Sequence, residues 1–113
     1  MEQNTRVAIL DRTEELLREI HRRNDLDVEQ IVSIFFTMTP DLNAEFPAVA
    51  ARLMGWTDVP LMCAVEVDVP AALPRCVRVL FHYNTHKKNV IHHVYLGEAI
   101  RLRKDLNVNM EEA

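Results

Sequence analysis

The sequence predicts an α+β domain in which one long helix and one or two short ones pack against a small β-sheet. Three observations carry that prediction. One stretch repeats its apolar residues at helical spacing, several short stretches are β-branched or alternating, and proline or asparagine breaks separate them. The chain has 113 residues, of which 49% are hydrophobic and 27% charged, a balance that supports a folded core rather than disorder. We expect a single domain over residues 1–113, with residues 107–113 as a flexible tail.

The long helix is expected over residues 5–23. Ile9, Leu10, Leu16, Leu17 and Ile20 recur on one face, with Thr13 filling the turn between them. Asn4 or Thr5 can cap its start, and Asn24 suits the left-handed position past its end. Arg18, Arg22 and Arg23 complement the helix dipole in the final turns. Residues 27–30 look like a capped turn. They lead into residues 31–38, a nearly continuous apolar run that suits a strand covered on both faces. Thr39-Pro40-Asp41 breaks that run.

Residues 46–54 suit a short helix, with Pro47 in the first turn and Gly55 as the stop. A second strand is expected over residues 61–67 and a third over residues 75–83. The third has two faces, with Cys76, Arg78, Leu80 and His82 on one and Val77, Val79, Phe81 and Tyr83 on the other. Residues 93–96 are expected to form a fourth strand and residues 97–100 a brief helix. Four strands beside one long helix make a lean sheet, short of an edge.

Several chemistries find no support. The five histidines show no spacing suited to a metal site, and His92 and His93 would face opposite ways in a strand. Cys63 and Cys76 lie in strands, where cysteine is usually an inert small hydrophobe, and two cysteines are too few for a disulfide scaffold. With only Gly55 and Gly97, the chain has no glycine-rich phosphate loop. No apolar run approaches the length of a membrane span, and a net charge of −4 argues against binding nucleic acid. We expect a soluble, reduced, intracellular domain.

Arginine is what remains. Ten of the thirteen basic residues are arginine, and Arg78 sits mid-strand beside Cys76 and Leu80. A guanidinium there needs a partner. Glu66 is a carboxylate in an otherwise apolar strand. Two readings stay open at this point: a structural Glu66–Arg78 ion pair, or a polar pocket in which Arg78 meets an anionic ligand and Glu66 a hydroxyl.

A series of short segments carries a resemblance. In order they are Thr39-Pro-Asp-Leu42, Phe46-Pro-Ala48, Arg52, Gly55-Trp56, Val59-Pro60, Cys63, Glu66-Val-Asp68, Cys76-Val-Arg78-Val79, His93-Val-Tyr-Leu96, Leu102-Arg103 and Asp105-Leu106. This series resembles the AroH-type chorismate mutases from about residue 4 to residue 106. The resemblance implies a mixed sheet packed against helices, assembled as a pseudo-barrel homotrimer with active sites between subunits. It implies rearrangement of chorismate to prephenate, an intramolecular Claisen reaction in phenylalanine and tyrosine biosynthesis that uses neither metal nor cofactor.

By the same resemblance, Arg78, Glu66 and Cys63 are catalytic. Arg78 meets the ether oxygen, while Glu66 and the backbone and thiol of Cys63 hold the ring hydroxyl. Leu61, Met62 and Tyr95 bind substrate, Phe46, Ala48 and Arg52 come from the neighbouring subunit, and Leu102 and Arg103 lie in a closing tail. Two positions depart from the family pattern: Val49 stands where a lysine is usual, and Met62 where a small polar residue is usual. The family usually also begins with a strand reading roughly Arg-Gly-Ile-Arg-Gly-Ala-Thr, one arginine of which contacts substrate, and this chain starts after it. The second expectation is therefore an impaired homologue or truncated form that binds a chorismate-like dianion without turning it over.

Overall fold

A computed structural model describes residues 1–86 and 90–97. The long helix α1 (Arg6–Asn24) begins at Thr5, whose side-chain oxygen accepts a hydrogen bond from the Ala8 N–H at 3.1 Å. That bond satisfies one of the donors a helix start leaves orphaned. Ile9, Leu10, Thr13 and Leu17 are buried. The left-handed residue that ends the helix is Asp25 (φ 48°), not Asn24 as expected. Asn24 has other work. Its amide donates to the carbonyls of Ile20 and His92 and accepts from the His92 N–H at 2.8 Å. On the exposed face, Glu14 pairs with Arg18, Arg12 with Glu15, and Glu19 with Arg22, while Glu19 also reaches the sheltered Arg23. Such solvent-screened pairs add little to stability.

Asp27 caps a single 3₁₀ turn (Val28–Gln30) by accepting from the Glu29 N–H, as the sequence suggested. The chain then enters β1 (Ile31–Met38), the middle strand of a three-stranded mixed sheet. β2 (Leu61–Val65) lies parallel to it and β3 (Val77–Tyr83) antiparallel. Residues 66–67 and 75–76 fall outside the regular strands, although the Glu66 N–H still donates to the Met38 carbonyl at 2.8 Å.

Alternation along β1 decides the layering. Ile34, Phe36 and Met38 point inward and are buried, with Leu10 and Leu17 of α1 in the same core as Ile34 and Phe36. The short helix α2 (Ala48–Leu53) adds Ala48, Ala50 and Ala51, whose small side chains let it sit close to the sheet. Pro47 is its N-cap rather than a first-turn residue. At its far end Gly55 (φ 88°) and Trp56 return N–H groups to the carbonyls of Arg52 and Ala51, both at 3.0 Å. This is the paired closure that favours glycine, and it turns Trp56 into the core edge-on to Phe81.

The outer face of the sheet is different. Phe35 lies level with Met62 and Leu80, and Thr37 with Ala64 and Arg78. Val32 is 55% exposed and Phe35 38% exposed. The expectation of a β1 covered on both faces is thus corrected: among the described residues only the inner face is covered.

The expected fourth strand, residues 93–96, is also absent, for these residues join no ladder. Strand-forming side chains favour extended backbone without fixing a partner, and the chain beside this segment is held by the Asn24–His92 bonds rather than in a ladder. Among the described residues β2 and β3 each keep one unpaired edge. Residues 98–100 of the expected brief helix, Leu102, Arg103 and the tail over residues 107–113 lie outside the described residues.

Candidate active site

The Thr39-Pro40-Asp41 turn sets the entry of β3. The Asp41 carboxylate accepts from the Arg75 N–H at 2.9 and 3.1 Å. The Thr39 hydroxyl donates to Asp41 at 2.5 Å and accepts from the Cys76 N–H at 2.9 Å. These bonds, with the Thr39 hydroxyl the largest influence, hold the Asp41 carboxyl below its ordinary range. They also hold Arg75 at φ 48°, a left-handed conformation that costs a non-glycine residue free energy. Register follows from this knot: Val77 falls beside Met38, and Arg78 beside Thr37.

Arg78 therefore stands on the outer face. Its Nη2 donates to Glu66 Oε1 at 2.9 Å, and the Thr37 hydroxyl donates to Glu66 Oε2 at 2.6 Å. The carboxylate is sheltered, with a side chain 13% exposed, whereas the Arg78 side chain is 59% exposed. The ion pair is real, yet it leaves the guanidinium fork open to a ligand. Both readings of this pair are physically compatible. Beside it, burial first and the Glu66 charge second push the Cys76 thiol above its ordinary pKa, so Cys76 is a poor nucleophile.

The other expected residues fall into three places. Met62 shares the outer face with Phe35. Cys63 lies level with Phe36 and, with Leu61, packs against the inner core. Its thiol is consequently on the opposite face from Arg78 and Glu66, contrary to the expected role of that thiol. The spacing carried the warning, since residues three apart in extended chain point opposite ways. The Cys63 backbone is another matter. Because Glu66 donates its N–H toward β1 and the direction alternates, the Cys63 N–H points to the free edge of β2.

On the inner side of the sheet, Ala48 is buried, while Phe46 is 64% exposed and Arg52 is exposed at the end of α2. Phe46 is fixed by donating its N–H to Glu45, which pairs with Arg6 at 2.9 Å. One chain does not bring Phe46 and Arg52 to Arg78, because the sheet stands between them. Tyr95, half-buried, lines a cleft between α1, β3 and residues 90–97 that Arg78 also lines. Its volume of about 2180 Å³ exceeds that of a small-molecule pocket, so it is a groove along the β3 edge rather than a shaped site. Thr37 was missed from the sequence. Its hydroxyl in an apolar run was no distinguishing signal, since Ser33 offers the same in the same run.

Among the described residues, no cluster of three or more His, Cys, Asp or Glu side chains could hold a metal ion. No helix among them is long and apolar enough to cross a membrane. Fold and site together define a small α+β domain that presents an arginine–carboxylate pair on an open sheet face.

Comparison with known proteins makes this specific. The family model for chorismate mutase type I matches residues 1–106. The chain is 45% identical over 108 residues to chorismate mutase AroH of Thermus thermophilus, covering 94% of this chain and 88% of that protein. It is 40% identical over 110 residues to chorismate mutase AroH of Bacillus subtilis, covering 96% and 87% respectively. A solved chorismate mutase from Clostridium thermocellum superposes with a TM-score of 0.84 at 50% identity, over 87% of this chain and 88% of that one. The chain belongs to the chorismate mutase type I family, a family of isomerases.

Proposed function

We propose that the chain rearranges chorismate to prephenate in phenylalanine and tyrosine biosynthesis, acting in the cytoplasm as a homotrimer with sites between subunits. The observation that carries this reading is the Arg78–Glu66 pair, open to ligand on an otherwise apolar sheet face, in a chain matched by the family over residues 1–106. The reaction breaks an ether bond and forms a carbon–carbon bond within one molecule, so no proton transfer or covalent intermediate is needed. What the protein supplies is a compact substrate conformation and a cation where oxygen charge develops.

Arg78 is that cation, and its planar fork suits both the ether oxygen and a neighbouring carboxylate. A local cation matters more in a chain of net charge −4, which as a whole repels a dianion. Glu66 and the outward Cys63 N–H accept from and donate to the ring hydroxyl. Tyr95 hydrogen-bonds the side-chain carboxylate and Met62 lines the ring, while the Leu61 side chain, expected beside Met62, packs in the inner core and supports the strand from behind. Phe46 and Arg52 of the neighbouring subunit close the pocket, as their exposure on the far side of one chain supports, while Ala48, buried in its own core, anchors the short helix that carries Arg52. The uncovered outer face, with Val32, Phe35, Met62 and Leu80, supports the same assembly. Leu102 and Arg103 complete the site from the tail.

The test is to follow chorismate loss in the ultraviolet with purified protein while measuring its mass by light scattering. Turnover above the uncatalysed background by a trimer supports the proposal. Tight binding of prephenate without turnover would leave a dianion-binding relative instead.

A further inference from the structure

The carboxylate of Glu66 is held from two sides, and only one holder belongs to the pair already described. Thr37 Oγ1 lies 2.6 Å from Oε2, the shorter of the two contacts, while Arg78 Nη2 lies 2.9 Å from Oε1. The three residues come from three adjacent strands or strand ends. Thr37 is in the middle strand, level with Arg78 on one side and with Ala64, two residues before Glu66, on the other. Thr37 is half-buried and β-branched, so its χ1 is stiff and the strand dictates where the hydroxyl points. A hydroxyl has one proton, and this one is committed to Glu66.

We propose that Thr37 is a positioning residue: its hydroxyl fixes the Glu66 carboxylate so that Glu66 can accept from the substrate ring hydroxyl while Arg78 stays available to the substrate. An ionised carboxylate accepts at about four lone-pair positions. With one donor on each oxygen, positions remain for a ligand, and their direction is fixed. Without the Thr37 hydroxyl, Oε2 is free to turn toward the guanidinium, whose fork favours a two-pronged carboxylate pair. That pair would draw both groups away from substrate. The inference rests on the role proposed for Glu66 above.

The experiment compares Thr37→Val and Thr37→Ser, each in the parent and in a Glu66→Gln background, by steady-state chorismate turnover, with far-ultraviolet circular dichroism as the control for folding. Thr37→Val keeps the side-chain shape and should lower kcat/KM about tenfold, the loss expected for one hydrogen bond to a charged group, with kcat bearing more of it than KM. Thr37→Ser keeps the hydroxyl and should stay within about twofold of the parent. In the Glu66→Gln background Thr37→Val should change turnover by less than about twofold, because a neutral amide cannot form the two-pronged pair with Arg78 that the Thr37 hydroxyl prevents.

A Thr37→Val enzyme with parental kcat overturns the proposal, as does an equal loss in both backgrounds, which would mark a packing role. If Glu66→Gln itself leaves turnover unchanged, the role of Glu66 falls, and the role of Thr37 falls with it. Damage from Glu66→Gln beside a neutral Thr37→Val overturns the Thr37 proposal alone.

Discussion

Replacing Arg78 with alanine removes a guanidinium that touches the protein lightly and, on the proposed mechanism, the transition state heavily. The structure separates the two costs. Its one described contact is the 2.9 Å bond to Glu66, and its side chain is 59% exposed, so solvent screens much of the attraction. A pair of that kind is worth about 0.2–1 kcal/mol to stability. For a chain of 113 residues this corresponds to a shift in Tm of no more than about 5 °C. By contrast, removing one preorganised donor from the site of developing charge costs about 2.7–4 kcal/mol, or a factor of about 10²–10³ in kcat.

Arg78→Ala should therefore fold, assemble and melt close to the parent while losing nearly all turnover. Arg78→Lys, which restores the charge but not the fork, should recover only part of the rate. The assays are chorismate loss in the ultraviolet and thermal unfolding on the same samples. Turnover by Arg78→Ala within about threefold of the parent would refute the transition-state role, since a decade of rate is only 1.36 kcal/mol. A large fall in Tm would refute the premise that the pair is structurally light.

Asp41→Asn should destabilise the chain at pH 7 by no more than about 1 kcal/mol, discounted because the carboxylate is exposed. The Thr39 hydroxyl and Arg75 N–H favour the ionised form, so its folded pKa lies below the ordinary 3.8. The stabilisation is then fully present above that value and lost as pH falls through the folded pKa. Chemical denaturation at several pH values should show the gap between parent and variant closing below about pH 3.8, and a gap that persists there would contradict the account. Leu80→Asp places a charge on the outer face beside Phe35, where the proposed trimer would bury an unpaired carboxylate between subunits at a cost of several kcal/mol. It should leave a smaller, inactive species in light scattering, and an unchanged trimer would remove the outer face from the interface.

Most of the fold was legible because it is written in local periodicity. The stripe from Ile9 to Ile20, the β-branched run of β1, the alternation of β3 and the Gly55 stop each depend on near neighbours in sequence. What failed depended on distant partners. Residues 93–96 have strand-forming side chains, but propensity does not choose a partner, and Asn24 holds the backbone beside that segment at His92 instead. β1 looked covered on both faces because a hydrophobic run does not say whether each of its faces meets another element of the same chain. At the site, Glu66 and Arg78 were legible as charges out of place in apolar strands. The thiol of Cys63 was assigned to the wrong face by resemblance, where strand parity would have corrected it. Thr37 was illegible because a threonine in a strand is ordinary, and only the fold brings it within 2.6 Å of Glu66.

The strand order has a consequence for how this chain reaches its native state. Among the described residues, no two neighbouring strands of the sheet are joined by a tight turn. Ile34 of the central strand meets Leu61, 27 residues later, and Phe36 meets Val79, 43 residues later. Every interstrand bond thus waits for a long loop to close, and the loss of chain entropy comes before any pairing can offset it. Helix α1 can form within about a microsecond, but the sheet cannot follow by zipping outward from a hairpin. Folding should therefore run in the milliseconds-to-seconds range of proteins dominated by non-local contacts, with the apolar strand β1 unpaired for most of that interval.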